Sequence, residues 1–206
     1  SAMWQAMLLS AGLSPSEQIV IHGFVTSEGQ KMSKSVGNVI DPLDIVNEYG
    51  VDALRYYLVR EMSTFEDGDF THEQFKEAYN ANLANGIGNL TARIMKMAET
   101  HLPNAVAMRN TVLPQEFTAA LDAYDVQKGA NIIWEYIGKL DGYIQETQPF
   151  KLVKEDKEKA GVVLEKLVVQ LDEIANMLAS FLPETSEKIK TAIRENKMPE
   201  SLFVRR

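Results

Sequence analysis

Apolar positions along the 206-residue chain recur with two different periods, and the change divides it near residue 70. Residues 3–11 form an apolar run that reads as a short helix stopped by Gly12. Between Gln18 and Thr26 the chain is β-branched and aromatic (Ile19, Val20, Ile21, Phe24, Val25), the composition of a strand or a strand-to-loop transition. Gly23, Gly29 and Gly37, with Ser33 and Ser35 among them, make the following stretch a loop. Pro42 opens a short helix that Gly50 ends. Asp52 to Glu61 reads as a second helix, with Leu54, Tyr57 and Leu58 on its apolar face. Phe65 to Phe70 reads as a turn.

Beyond Thr71 the helical period takes over. Thr71 with Gln74 three residues on has the spacing of a capping box. Tyr79, Leu83, Ile87, Leu90, Ile94 and Met97 then recur at steps of four and three, one stripe on one long helix ending near His101-Leu102-Pro103. Phe117, Leu121 and Tyr124 begin the next helix, which Asp125 breaks or recaps. Val126, Ala130, Ile133, Ile137, Leu140 and Ile144 continue it, and Pro149 marks a connection. Leu164, Leu167, Leu171, Ile174, Leu178 and Phe181 form another stripe, stopped by Pro183, and a last helix runs from Glu184 to Asn196. The expected fold is therefore mainly α: an antiparallel helix bundle over residues 71–206, preceded by a small α/β part over residues 1–70. Such stripes account for a hydrophobic core rather than a function, so Trp134 and Met95 read as core residues.

Composition narrows the classes. Hydrophobic content of 45% and charged content of 24% describe an ordinary globular chain. No apolar run is long enough to span a bilayer and no leader opens the sequence, so neither a membrane partner nor secretion is expected. The absence of cysteine excludes disulfides and thiolate metal sites and fits a reducing cytoplasm. A net charge of -8 runs against non-specific nucleic-acid binding. It leaves room for a reader of unpaired bases, which are held by stacking and edge hydrogen bonds with only local basic residues. Ser1-Ala2-Met3 resembles a cloning scar, and an opening directly on the apolar run from Trp4 suggests that a longer sequence lies upstream.

The most specific chemistry sits in His22-Gly23-Phe24, then Lys31-Met32-Ser33-Lys34-Ser35, then Gly37-Asn38. Two lysines three apart on a flexible loop can approach a triphosphate as point charges. The segment resembles the KMSKS loop of class I aminoacyl-tRNA synthetases, with its upstream His-Gly. The resemblance implies a reaction that joins an amino-acid carboxylate to the α-phosphate of ATP and expels pyrophosphate. Ammonium groups beside the leaving oxygens stabilise the charge that develops there, and loop mobility lets the site close on ATP. It further implies Lys34 as the first phosphate contact and Lys31 as the second, both catalytic. Ser33 belongs to the same ATP-binding loop, and His22 and Gly23 line the adenine side. Capping of the loop by a hydrogen bond is the alternative for His22. ATP is expected as substrate, with Mg2+ in the full enzyme.

The next residues, Val39-Ile40-Asp41-Pro42-Leu43 and Tyr49-Gly50-Val51-Asp52-Ala53-Leu54-Arg55-Tyr56, resemble the segment that joins catalytic and anticodon domains in the methionine, isoleucine, leucine and valine enzymes. The run from Tyr79 to Arg93 looks like the first anticodon-domain helix of methionyl-tRNA synthetases. Asn89 and Arg93 are four apart and share a helix face. An amide and a planar guanidinium can together read the edges of a splayed base, and the family's matching residues contact the anticodon. Asn82 and Asn85 extend that stripe, although close helix packing is another reason for Asn and Gly there. Glu146-Thr147-Gln148-Pro149-Phe150-Lys151-Leu152 resembles the family's Pro-Trp segment, whose indole stacks on an anticodon base. Here Phe150 replaces the indole, and either stacks with a smaller ring or packs between helices. Lys151 and Lys154 could meet nearby phosphates.

The resemblance implies tRNA-Met, with anticodon CAU, as partner. Methionine is engaged only through residues outside this chain, which contains no His-x-Gly-His. The 206 residues alone are therefore expected not to activate methionine, and no metal site is expected within them. The alternatives are another class I synthetase, for leucine, isoleucine or valine, and a helical protein-interaction module without RNA contact.

Overall fold

The computed structural model describes residues 2–33, 35, 37–107 and 112–206. Helix α1 (Ala2–Ser10) has no buried residue, and Gly12 follows it at φ +72. Strands β1 (Val25–Ser27) and β2 (Gln30–Lys31) pair antiparallel. Glu28 and Gly29 between them have φ of 54 and 70, the doubly positive turn whose twist matches a hairpin. Strand β3 (Gly68–Phe70) lies parallel to β1, giving the order β2-β1-β3.

Two expectations change here. The strand foreseen over residues 18–26 survives only at its end. Residues 18–24 form no strand, although Phe24 O accepts the Gly68 N–H of β3 at 2.9 Å, and Ile19, Ile21 and Phe24 are exposed. The turn foreseen at 65–70 contains β3. Its Asp-Gly-Asp composition signals a turn, but the aspartates brace β1 instead. Phe24 N–H donates to Asp67 Oδ1, and the Thr26 hydroxyl and Gly29 N–H donate to Asp69 Oδ1, each at 2.8 Å.

Helix α2 (Pro42–Tyr49) is capped by the Asp41 side chain, and α3 (Val51–Tyr56) runs on into a wider π turn over Tyr57–Glu61. The π turn lengthens the repeat and shifts the buried face: Ala53, Tyr56 and Tyr57 are buried, while Leu58, placed on the apolar face by its spacing, is exposed.

The stretch that reads as one long helix is kinked at Gly86, whose backbone leaves helical geometry. It comprises α4 (His72–Ala78), a π-helical segment (Tyr79–Gly88) and α5 (Asn89–His101). Thr71 caps it by accepting from Gln74 N–H at 3.2 Å, a contact of about 1 kcal/mol. Tyr79, Leu83, Ile87, Leu90 and Ile94 are buried as the stripe requires, and Met97 is only partly covered.

The remaining helices are α6 (Gln115–Asp122), α7 (Val126–Thr147), α8 (Pro149–Glu155), α9 (Lys157–Leu178) and α10 (Pro183–Glu195). Asp125 and Asp156 cap α7 and α9 by accepting from Lys128 and Lys159 N–H at 3.0 Å. Helix α8 occupies what reads in sequence as a bare connection. Helix α9 packs against α5, α7, α8 and α10. Leu164, Leu171 and Leu178 are fully buried on it against Ile94, Ile133 and Leu140 in the same core, and each such side chain contributes roughly 1.5–3 kcal/mol. The molecule is mainly α with a small three-stranded sheet, as the patterning implies. No helix among the described residues is long and apolar enough to cross a membrane.

Side chains of α3 clamp the sheet-bearing part to the bundle. Asp52 Oδ2 accepts the backbone N–H and the hydroxyl of Thr185, both at 2.7 Å. Arg55 donates to the carbonyls of Phe181 and Ser180 after α9. On the opposite side the Tyr79 hydroxyl donates to Val204 O at 2.9 Å, and the Arg206 guanidinium donates to Glu48 O at 2.9 Å.

Candidate functional site

Residues 22–38 form the first candidate surface. Gly23 is required by a close approach: a Cβ there would lie 1.9 Å from Glu66 O. The His22 ring is exposed, with Nδ1 2.8 Å from Gly23 O, so its visible contact is local to the loop. Lys31 lies on β2, exposed, with Nζ 5.2 Å from the centre of the Phe24 ring. Asn38 closes the loop base, accepting from Ser33 N–H at 2.9 Å and donating to Lys31 O at 3.3 Å. The Ser33 and Ser35 hydroxyls are 2.8 Å apart. Lys34 lies outside the described residues.

The second surface is a groove of about 760 Å³ between the long helix and α7, bounded by Arg60 in the π turn that follows α3. Asn82, Asn85, Asn89 and Arg93 line one wall, and Asn131, Trp134, Glu135 and Asp141 the other. Asn and Gly are weak α-helix formers, and the stretch that contains them is the π-helical segment. Gly86 departs from helical geometry there, with φ -83 and ψ -110. At Gly88 a Cβ would meet Leu83 O at 2.9 Å. π-Helical turns accumulate at functional sites, and this one sets the asparagines along the groove wall.

Asn89 is exposed. The Arg93 side chain is 34% exposed, and its Nη1 donates to Asp141 Oδ1 at 2.8 Å. A pair this open to water adds little stability, under about 1 kcal/mol. Its effect is to fix the direction of the guanidinium fork while leaving other N–H groups of Arg93 for a ligand.

Arg93 also borders an apolar slot of about 390 Å³ with Ala92, Lys96, Met97, Ile144 and Phe150. Phe150 follows a sharp bend at Gln148, whose φ is 44, and sits one residue after Pro149 at the start of α8. Its ring is 46% exposed, so helix packing does not consume it. The structure thus brings Asn89, Arg93 and Phe150 to one surface, although the last is 57 residues from Arg93 in sequence. Lys151 and Lys154 are exposed on the same short helix.

Residues 1–95 match the family model for class I tRNA synthetases (M), and residues 87–202 match the anticodon-binding domain of methionyl tRNA ligase. The chain belongs to the methionyl-tRNA synthetase family. It is 36% identical to the methionine–tRNA ligase of Fusobacterium nucleatum over 206 residues, covering 93% of this chain and 32% of that relative. It is 37% identical to that of Thermotoga maritima over 203 residues, covering 92% and 32%. Among solved structures, Mycobacterium tuberculosis methionyl-tRNA synthetase in complex with methionyl-adenylate superposes with a TM-score of 0.75 at 30% identity, covering 91% of this chain and 40% of that one. The chain spans about a third of the length of the curated relatives it matches. A methionyl-specific anticodon model does not favour the leucine, isoleucine and valine alternatives, nor a helical interaction module.

Several residues of the groove and slot carry no mark in the sequence patterns. Asp141 and Asn131 lie on α7, where the apolar stripe drew attention to the opposite face. Lys96, three residues beyond Arg93, was within reach of the helical spacing rule. Trp134, read as core, packs against the core and also lines the groove. Among the described residues, no group of three or more His, Asp or Glu is placed to hold a metal ion.

Proposed function

We propose that this chain supplies the ATP-contacting loop and the anticodon-reading surface of a cytoplasmic methionine–tRNA ligase that charges tRNA-Met. Residues 1–70 are read as the end of the catalytic domain with its connecting subdomain, and residues 71–206 as the anticodon domain. Lys31 and Lys34 are assigned to the phosphates of ATP, with Ser33 in the same loop and His22 and Gly23 toward the adenine. Lys34 rests on the sequence alone. Mg2+ would arrive with the phosphates of ATP, and the chain's own contribution is positive charge where the leaving pyrophosphate gathers negative charge.

Asn89, Arg93 and Phe150 are assigned to the CAU anticodon. The observation that carries this reading is their convergence on one open surface, with Arg93 shared between the polar groove and the Phe150 slot. An unpaired base lying on the Phe150 ring would present its edge to the guanidinium fork and the Asn89 amide. Against the net charge of -8, the local cations are Arg93 and Lys96, which line the slot and pair with Asp141 and Glu99, and Lys151 and Lys154, exposed on the helix that carries Phe150. The test is anisotropy of a labelled anticodon stem-loop hairpin titrated with the chain. A CAU loop is expected to bind more tightly than loops altered at the first anticodon base, and binding should weaken as salt rises. Equal affinity for all loop sequences overturns the assignment.

A further inference from the structure

At the end of the groove away from Asp141, Arg60 and Trp134 form a corner that the anticodon assignment above does not use. The Arg60 guanidinium lies 4.9 Å from the Trp134 ring centre and 5.9 Å from that of Tyr56. It is held by donating to the Tyr56 hydroxyl at 3.0 Å and to Glu61 at 2.7 Å. The main chain behind it is pinned as well: Gln127 Nε2 donates to Arg60 O at 3.0 Å, and Gln127 N–H to Thr64 Oγ1 at 3.1 Å. Arg60 Nε and Trp134 Nε1 are both buried without a hydrogen-bond partner, a condition that folded proteins usually avoid. Both side chains keep part of their surface open to the groove, and the Asn82 and Asn131 amides stand on its two walls.

We infer that this corner is a second nucleotide subsite, which takes the base of another unpaired nucleotide on the strand bound at Arg93 and Phe150. The inference rests on the RNA-reading function proposed above. A base, not a phosphate, is the occupant, because the charges lining the groove cancel: Arg60 and Arg93 stand against Glu135 and Asp141. A neutral planar group suits a guanidinium set beside an indole, side chains on which bases lie readily. The orphaned N–H groups would turn toward the oxygen or ring nitrogen of the base edge, and the amides would complete the reading of that edge. Arg60 lies in the segment that follows the ATP loop, whereas Asn82, Asn131 and Trp134 belong to the bundle. Occupancy would therefore bridge the two parts of the chain.

The chain has two tryptophans, Trp4 and Trp134. Trp4 is 57% exposed on α1, and W4F leaves Trp134 as the sole indole reporter. Titrating this variant with the CAU hairpin is expected to quench Trp134 emission at least twofold, saturating over the concentrations at which anisotropy reports binding. Asn131→Ala, an exposed change, should weaken binding about fivefold with an unchanged melting temperature. Hairpin binding with no change in Trp134 emission, together with parental affinity in N131A, overturns the second subsite and leaves the Arg93–Phe150 reading standing. No hairpin binding by either readout overturns both.

Discussion

Around residues 22–38 the candidate residues are nearly consecutive in the chain, and residues 66–70 brace the segment that carries them. The His22 ring contacts the next carbonyl, Lys31 stands exposed beside Phe24, and one asparagine closes the loop base. Across the groove and slot the residues are scattered: Asn89 and Arg93 on α5, Asn131 and Asp141 on α7 and Phe150 on α8 meet only when those helices pack together, and Asn131 and Asp141 carry no mark in the sequence. On the function proposed above, the difference would follow from what each ligand needs: a triphosphate would be met by charge on a local segment, whereas a base edge would have to be matched in direction as well as charge, by residues that packed helices and partners such as Asp141 hold in place.

The comparison can be broken most sharply at Gly23. The loop end depends on the fold through the close approach of residue 66, beside the Asp67 and Asp69 carboxylates that brace β1. Gly23→Ala is expected to destabilise the chain by about 3 kcal/mol or more, read as a fall in the thermal midpoint. A parental midpoint would show that the approach is not tight. At the groove, Arg93→Ala should weaken CAU hairpin binding by about tenfold to a hundredfold, the loss of charged hydrogen bonds worth roughly 1.5–3 kcal/mol, with circular dichroism unchanged. Equal affinity would remove Arg93 from the reading surface. Phe150→Ala should weaken binding about tenfold, and Phe150→Trp should restore or improve it by enlarging the stacking face. If both behave as the parent, the ring is not a stacking platform.

Asp141→Asn sharpens the picture further. It removes the charge that directs Arg93 while keeping the shape, so binding should fall about threefold and stability by under about 1 kcal/mol. A loss as large as that of Arg93→Ala would make Asp141 a contact residue in its own right. The smallest effect is alkaline. Burial, and then donation to Glu61, push the Tyr56 phenol above the usual tyrosine value. Its contribution is full below about pH 10, where a free tyrosine ionises, and is lost as pH rises through the higher folded value. Tyr56→Phe should flatten part of the fall in urea midpoint over that window, and an unaltered slope would assign the fall to other groups.

Much of the bundle was legible. The stripes from Tyr79 to Ile94, Val126 to Ile144 and Leu164 to Phe181 specify buried faces, and Thr71 and Asp125 mark helix starts. What misled was local. The Asp-Gly-Asp of residues 67–69 has turn composition but builds a strand, because its carboxylates are spent on the main chain and Thr26 side chain of the β1 hairpin. Phe150 could stack or pack, and the bend at Gln148 decides for exposure.

By itself the sequence determined most of the helical segments (α8 excepted), where the lysine loop lies and which family the residues resemble, since periodicity, caps and motifs are properties of neighbours along the chain. Only the tertiary structure decided that Arg93 is paired to Asp141, that Trp134 and Arg60 meet at the end of a polar groove, and that Phe150 faces outward beside Arg93. Those are relations between distant segments, fixed by how side chains on α9 pack against α5, α7 and α8. No short-range pattern encodes the angle at which two helices present their polar faces to each other.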